Sequence, residues 1–213
     1  MTRRPLTLVL VFAAALGLAS VAFAAATLAR TANPKALPLG DGKVTTTGAK
    51  KGYVFSCGLP GGGGGAQAVG SWIHGKTWDS TAKVTVDGSV KWKSVRRIVL
   101  AGSGTAAKRK ISGNGLPSHA TGTFPVATSD DAYAIDRNPN SIRAQTVAVS
   151  LPANPVVAAK PSCLSLGAIG VMLTGSELFN ALDALGRDAP AHEVQDACDG
   201  HPELSGAYHY HSL

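Results

Sequence analysis

Cysteine, charge and aromatic side chains are all scarce in this 213-residue chain, with three cysteines, 15% charged residues and 6% aromatics. The cysteines, Cys57, Cys163 and Cys198, lie far apart and form no Cys-x-x-Cys pair. That excludes a zinc ribbon and a thioredoxin-type motif. No Gly-Lys-Ser/Thr follows the glycine run 61–65, where Ala66-Gln67-Ala68 stands instead, so the run is a flexible loop and not a phosphate cradle. His-Glu-x-x-His and Gly-x-Ser-x-Gly are both missing, and with them the hydrolase classes they mark. Lys108-Arg109-Lys110 is the one tight basic run, and no aromatics interleave it. It reads as a solvated strand edge, and no nucleic-acid partner is expected.

What is present begins at the N-terminus. Arg3 and Arg4 precede an uncharged stretch from Leu6 to Ala29, and Ala22-Phe23-Ala24 offers the small-x-small pattern of signal-peptide cleavage. Residues 1–24 are therefore expected to be a signal peptide, and the mature chain to begin near Ala25 in an extracytoplasmic compartment. The competing reading is a retained anchor, because the uncharged stretch is long enough to span a bilayer. Thr2-Arg3-Arg4 matches the start of a twin-arginine signal in part. Cleavage removes two of the 20 basic residues, leaving 18 against 13 acidic ones, a net +5. Once cleaved, the protein is expected to have no membrane association.

Residues 25–50, with Pro34, Pro38, Gly40 and Gly42, read as a flexible linker, and residues 51–213 as one domain. Alternating runs dominate that domain. Lys83–Val86 and Ser89–Trp92 flank Asp87-Gly88, a strong two-residue hairpin signal. Residues 95–100, 106–111 and 142–151 are further strands, and Ile169–Leu173 with Ser176–Phe179 reads as a second hairpin across Thr174-Gly175. A helix from Ser176 is the competing reading, because Leu178, Leu182 and Leu185 fit helical spacing. A helix is expected from Ala189 to about Ala197, with Pro190 in its first turn. The fold class is mainly β, antiparallel and sandwich-like, with one short C-terminal helix.

Chemistry-bearing residues crowd the C-terminus, where four of six histidines fall within the last 22 residues. In Tyr208-His209-Tyr210-His211, strand alternation puts the two histidines on one face and the two tyrosines on the other. The rigid Gly200-His201-Pro202 turn can return a third imidazole. His201, His209 and His211 are thus candidate metal ligands, with His119 and Asp196 as optional additions. Imidazole suits zinc or copper. Calcium on Asp183, Asp188, Glu193 and Asp196 is less favoured, because the EF-hand spacing is absent. In an oxidising compartment Cys57 and Cys163 are expected to form a disulfide.

Asp188-Ala189, Glu193-Val194-Gln195-Asp196-Ala197-Cys198, Gly200-His201-Pro202 and Tyr208-His209-Tyr210-His211 together resemble the YHYH-domain proteins. The resemblance runs from about Tyr53 to the end. It includes Trp72-Ile73-His74-Gly75-Lys76-Thr77-Trp78, Asn114-Gly115-Leu116-Pro117-Ser118-His119, Thr121-Gly122-Thr123-Phe124-Pro125 and Asn138-Pro139-Asn140. It implies kinship and export rather than a reaction. Thr174-Gly175 departs from the Asn-Gly the resemblance leads one to expect. It also implies a chain that continues to another cysteine, so the partner of Cys198 is expected beyond Leu213.

Three functional classes stand open at this level. One is an exported binder of zinc or copper. Another is a non-catalytic extracellular interaction or structural module. The third is a metal-dependent hydrolase with Glu193 or Asp196 as general base on metal-bound water.

Overall fold

The computed structural model describes residues 32–212. The signal-peptide reading of residues 1–24 lies outside them. In chain order the strands are β1 (Leu37–Pro38), β2 (Val44–Thr45), β3 (Val54–Phe55), β4 (Ile73–His74), β5 (Thr77–Trp78), β6 (Arg96–Ala101), β7 (Lys108–Gly113), β8 (Val147–Pro152), β9 (Ala168–Val171) and β10 (Glu177–Phe179). The one-turn helix α1 (Ala189–His192) follows, then β11 (Gly200–Pro202) and β12 (Tyr208–Tyr210). The fold is mainly β, as expected, and its strands form four small sheets ordered β1-β5-β4, β2-β3, β6-β7-β8 and β11-β12-β10-β9. Among the described residues no helix is long and apolar enough to cross a membrane.

Two hydrophobic clusters organise these sheets. Trp72, Trp78, Val86, Val126, Ala132, Ala191 and Val194 form one, and Leu116, Ile142, Tyr208 and Tyr210 form the other. Trp72 anchors α1 to the first cluster, since its indole N–H donates to the Ala191 carbonyl at 2.8 Å. Cys57 and Cys163 are joined in a disulfide, with Cα atoms 4.9 Å apart, and Cys198 is free and exposed.

Three expectations need correction. Residues 33–50 do not behave as a linker: β1 pairs with β5, β2 with β3, and Asp41 Oδ1 accepts the Asp188 N–H at 3.0 Å. The Asp87-Gly88 hairpin does not form. Long-range partners capture its backbone: Val86 N–H donates to the Gln195 carbonyl at 3.0 Å, and Val90 bridges Thr121. Asp87 also keeps a negative φ, whereas a type I′ turn needs positive φ at both central residues. The helix stops at His192 rather than Ala197. Beyond it the Val194 N–H is taken by the Asp136 carboxylate at 3.2 Å, and Glu193 is already extended at φ −80°.

The hairpin across Thr174-Gly175 does form, with Glu177 opposite Val171 and Leu178 opposite Gly170. Strands at 96–101, 108–113 and 147–152 fall within the three stretches read as strands or run a residue or two past their ends. Residues 142–146 of the third stretch are irregular.

Candidate metal centre

The register of the C-terminal sheet builds the site. β11 runs antiparallel to β12 with His201 directly opposite His209, and directly opposed residues share a face. His211 lies two residues beyond His209 and returns to that same face. One ligand atom from each of His201, His209 and His211 lies within 4.8 Å of the other two, an arrangement that could hold a metal ion. The two strands approach closely because residue 200 is glycine: a Cβ there would meet the Tyr208 ring at 2.3 Å.

Hydrogen bonds fix the protonation pattern of two of the rings. His209 Nδ1 is 3.0 Å from the Ala207 carbonyl, and His211 Nδ1 is 2.6 Å from the Asn180 carbonyl. A carbonyl only accepts, so both Nδ1 atoms carry the hydrogen and both Nε2 atoms present bare lone pairs. Those two Nε2 atoms face each other at 3.1 Å. Both ring nitrogens of His201 are buried without a hydrogen-bond partner. Phe179 stacks on His209, with ring centroids 3.9 Å apart, and holds its plane.

Glu193 completes the cluster. Its Oε2, buried and without a hydrogen-bond partner, lies 3.5 Å from His201 Nε2 and 3.3 Å from His211 Nε2. These approaches are not ordinary ion pairs, because burial suppresses charge on both sides. Desolvation pulls His209 down to about 3 and His211 down to about 4, with the neighbouring imidazole adding to the shift at His209. It holds His201 well below the usual histidine range. The same burial, with Asp136 and Asp183 nearby, pushes Glu193 up to about 8. Near neutral pH the metal-free cluster is uncharged.

The cluster opens into a cavity of about 480 Å³ lined also by Gly63 to Gly65, Asp136, Asn138, Leu182 and Leu204. The glycine run read as a flexible loop therefore forms one wall of this cavity.

His119 and Asp196, the two optional ligands, belong to the opposite face of β12. His119 Nε2 is 2.7 Å from the Tyr210 hydroxyl and its ring packs edge-on against Tyr208. Asp196 accepts hydrogen bonds from the Tyr208 hydroxyl at 2.9 Å, from Gly122 N at 3.0 Å and from Cys198 N at 2.9 Å. With its oxygens so committed, it supports the tyrosine side of the strand and is not a ligand. The calcium set does not gather either, since Asp183 pairs with Arg187 at 2.7 Å and Asp188 accepts from Gly40 N at 2.7 Å. The sequence offered Glu193 as a general base on metal-bound water. Its direct approach to two of the imidazoles was not legible, because a separation of eight residues from His201 gives no periodic signal.

No protein-family model, curated protein or solved structure matches the chain. The functional reading rests on the site itself.

Proposed function

We propose that this is an exported protein, akin to the YHYH-domain proteins, that binds one zinc or copper ion through His201, His209 and His211. The observation that carries the reading is the pair of Nε2 lone pairs facing each other at 3.1 Å. Two bare imidazole nitrogens at that distance repel unless a cation lies between them, and neutral imidazole nitrogens are natural ligands for a divalent metal. The carbonyls of Ala207 and Asn180 supply the outer hydrogen bonds that orient ligating imidazoles. Neutral nitrogen donors favour zinc or copper over calcium. The Cys57–Cys163 disulfide supports an oxidising compartment.

Elemental analysis of protein recovered from its native compartment tests the proposal, with calorimetric titration of zinc and copper on chelator-treated protein beside it. One metal per chain is expected. His209→Ala and His211→Ala abolish tight binding, while His74→Ala, an exposed histidine remote from the cluster, leaves it intact. Folded protein that takes up neither metal returns the motif to a purely structural role.

A further inference from the structure

We infer that Glu193 is the fourth protein ligand of this centre, so that the metal is held by three imidazoles and one carboxylate. The inference rests on the metal-binding reading above and deepens it. Metal–nitrogen and metal–oxygen bonds of about 2.0–2.1 Å in a tetrahedral zinc site place the donor atoms about 3.3–3.4 Å apart. Three donor separations here lie close to that spacing: His209 Nε2 to His211 Nε2 at 3.1 Å, Glu193 Oε2 to His211 Nε2 at 3.3 Å, and Glu193 Oε2 to His201 Nε2 at 3.5 Å. A general base acting through metal-bound water stands one water molecule farther from the metal than a ligand does. Glu193 Oε2 instead sits at ligand spacing from two of the imidazoles.

Its surroundings argue the same way. Oε2 is buried without a hydrogen-bond partner and faces the Nε2 atoms of His201 and His211. The His211 Nε2 carries no proton to give, because that ring's hydrogen is on Nδ1 toward Asn180. A buried carboxyl oxygen and a bare imidazole nitrogen are held together by a shared cation, a proton in the metal-free chain or a metal ion in the loaded one. The backbone explains how the residue arrives there: α1 ends at His192, and Glu193, extended, turns its side chain toward β11 and β12.

The consequence is a centre closed by protein donors, a binding or structural site, rather than one that keeps a water in its fourth position. The test uses the purified full mature chain loaded with zinc alone or with cobalt(II) alone. Glu193→Gln, close in shape, is expected to weaken zinc about 100-fold or more in a chelator competition. The visible spectrum of the cobalt-loaded wild type is expected to stay unchanged between about pH 6.5 and 9, because no bound water titrates near 7. In the cobalt-loaded Glu193→Gln protein a pH-dependent spectrum appears as water enters. Wild-type zinc affinity in a folded Glu193→Gln protein overturns the assignment, and so does a wild-type cobalt spectrum that titrates near neutrality. The wild-type spectrum decides the matter even if the variant does not fold. A wild-type chain that binds no metal refutes the functional reading itself, an outcome distinct from both.

Discussion

Each ionisable residue of the cluster leaves a signature in the pH dependence of the metal-free fold. The histidines have folded values of about 3 and 4 at His209 and His211, against 6.5 when unfolded. A depressed folded value means that the contribution is present above the unfolded value and lost as pH falls toward the folded one. Glu193 runs oppositely, since its value rises from 4.5 to about 8. Its contribution is complete below the unfolded value and lost as pH rises through about 8. Below about pH 6.5 the histidines outnumber the single carboxyl, and between about pH 7 and 8 the carboxyl is opposed by Lys83, which burial pulls down to about 8. Stability of the metal-free chain should therefore rise to about pH 7 in urea titrations and then level off, with Glu193→Gln extending the rise toward about pH 8. A Glu193→Gln midpoint that levels off at the same pH as the wild type contradicts this account.

Asp196 makes the complementary case at the same scale. Its carboxylate is 1% exposed and gathers donors from Tyr208, Gly122, Cys198 and Gly200. Asp196→Ala strands those donors, and a loss of about 3 kcal/mol or more is expected in equilibrium unfolding. Folded Asp196→Ala should still bind one metal per chain. Loss of metal from folded protein would return Asp196 to the ligand set.

Among the elements, the C-terminal sheet was the most legible. The Tyr-His-Tyr-His alternation alone determines which side chains share a face, because the strand period is local. Of the two partners of β12, β10 was legible as a strand and β11 was not, since Gly200-His201-Pro202 reads as a turn and its pairing depends on register with residues 208–210. The Asp87-Gly88 signal failed for a related reason. The backbone groups of residues 86–90 are claimed by Gln195 and Thr121, partners far away in sequence. The tight hairpin that does form in this part of the chain, β4 to β5 across Gly75-Lys76, carried no strong alternation. Gly200 offers the element-scale test. A methyl group at residue 200 overlaps the Tyr208 ring. Gly200→Ala should thus separate β11 from β12, costing about 1–3 kcal/mol and weakening metal binding together. A variant that loses stability while keeping full metal affinity would show that His201 does not depend on this strand contact.

At the scale of the whole molecule, the disulfide and the candidate metal centre are connected. Cys57 N–H donates to the Leu164 carbonyl at 2.8 Å, beside the Cys57–Cys163 bond. The Ser165 carbonyl accepts from Asn180 Nδ2 at 2.9 Å, and the Asn180 carbonyl accepts from His211 Nδ1 at 2.6 Å. Residues 163–165 thereby brace the carbonyl that fixes the tautomer of one proposed ligand. Cross-linking positions 106 residues apart constrains the unfolded chain by about 4–5 kcal/mol in the chain-entropy picture. Two effects should then follow from the double substitution Cys57→Ser, Cys163→Ser. The urea midpoint should fall by an amount of that order. Where the protein remains folded, zinc affinity should drop about 10-fold or more, because an outer-shell partner of His211 has been loosened. Since the metal stabilises the folded chain in proportion to its affinity, excess zinc should recover part of the lost stability. A double variant with unchanged midpoint would mean that the disulfide constrains little. One with reduced stability but unchanged zinc affinity would break the proposed link from residue 163 through Asn180 to His211.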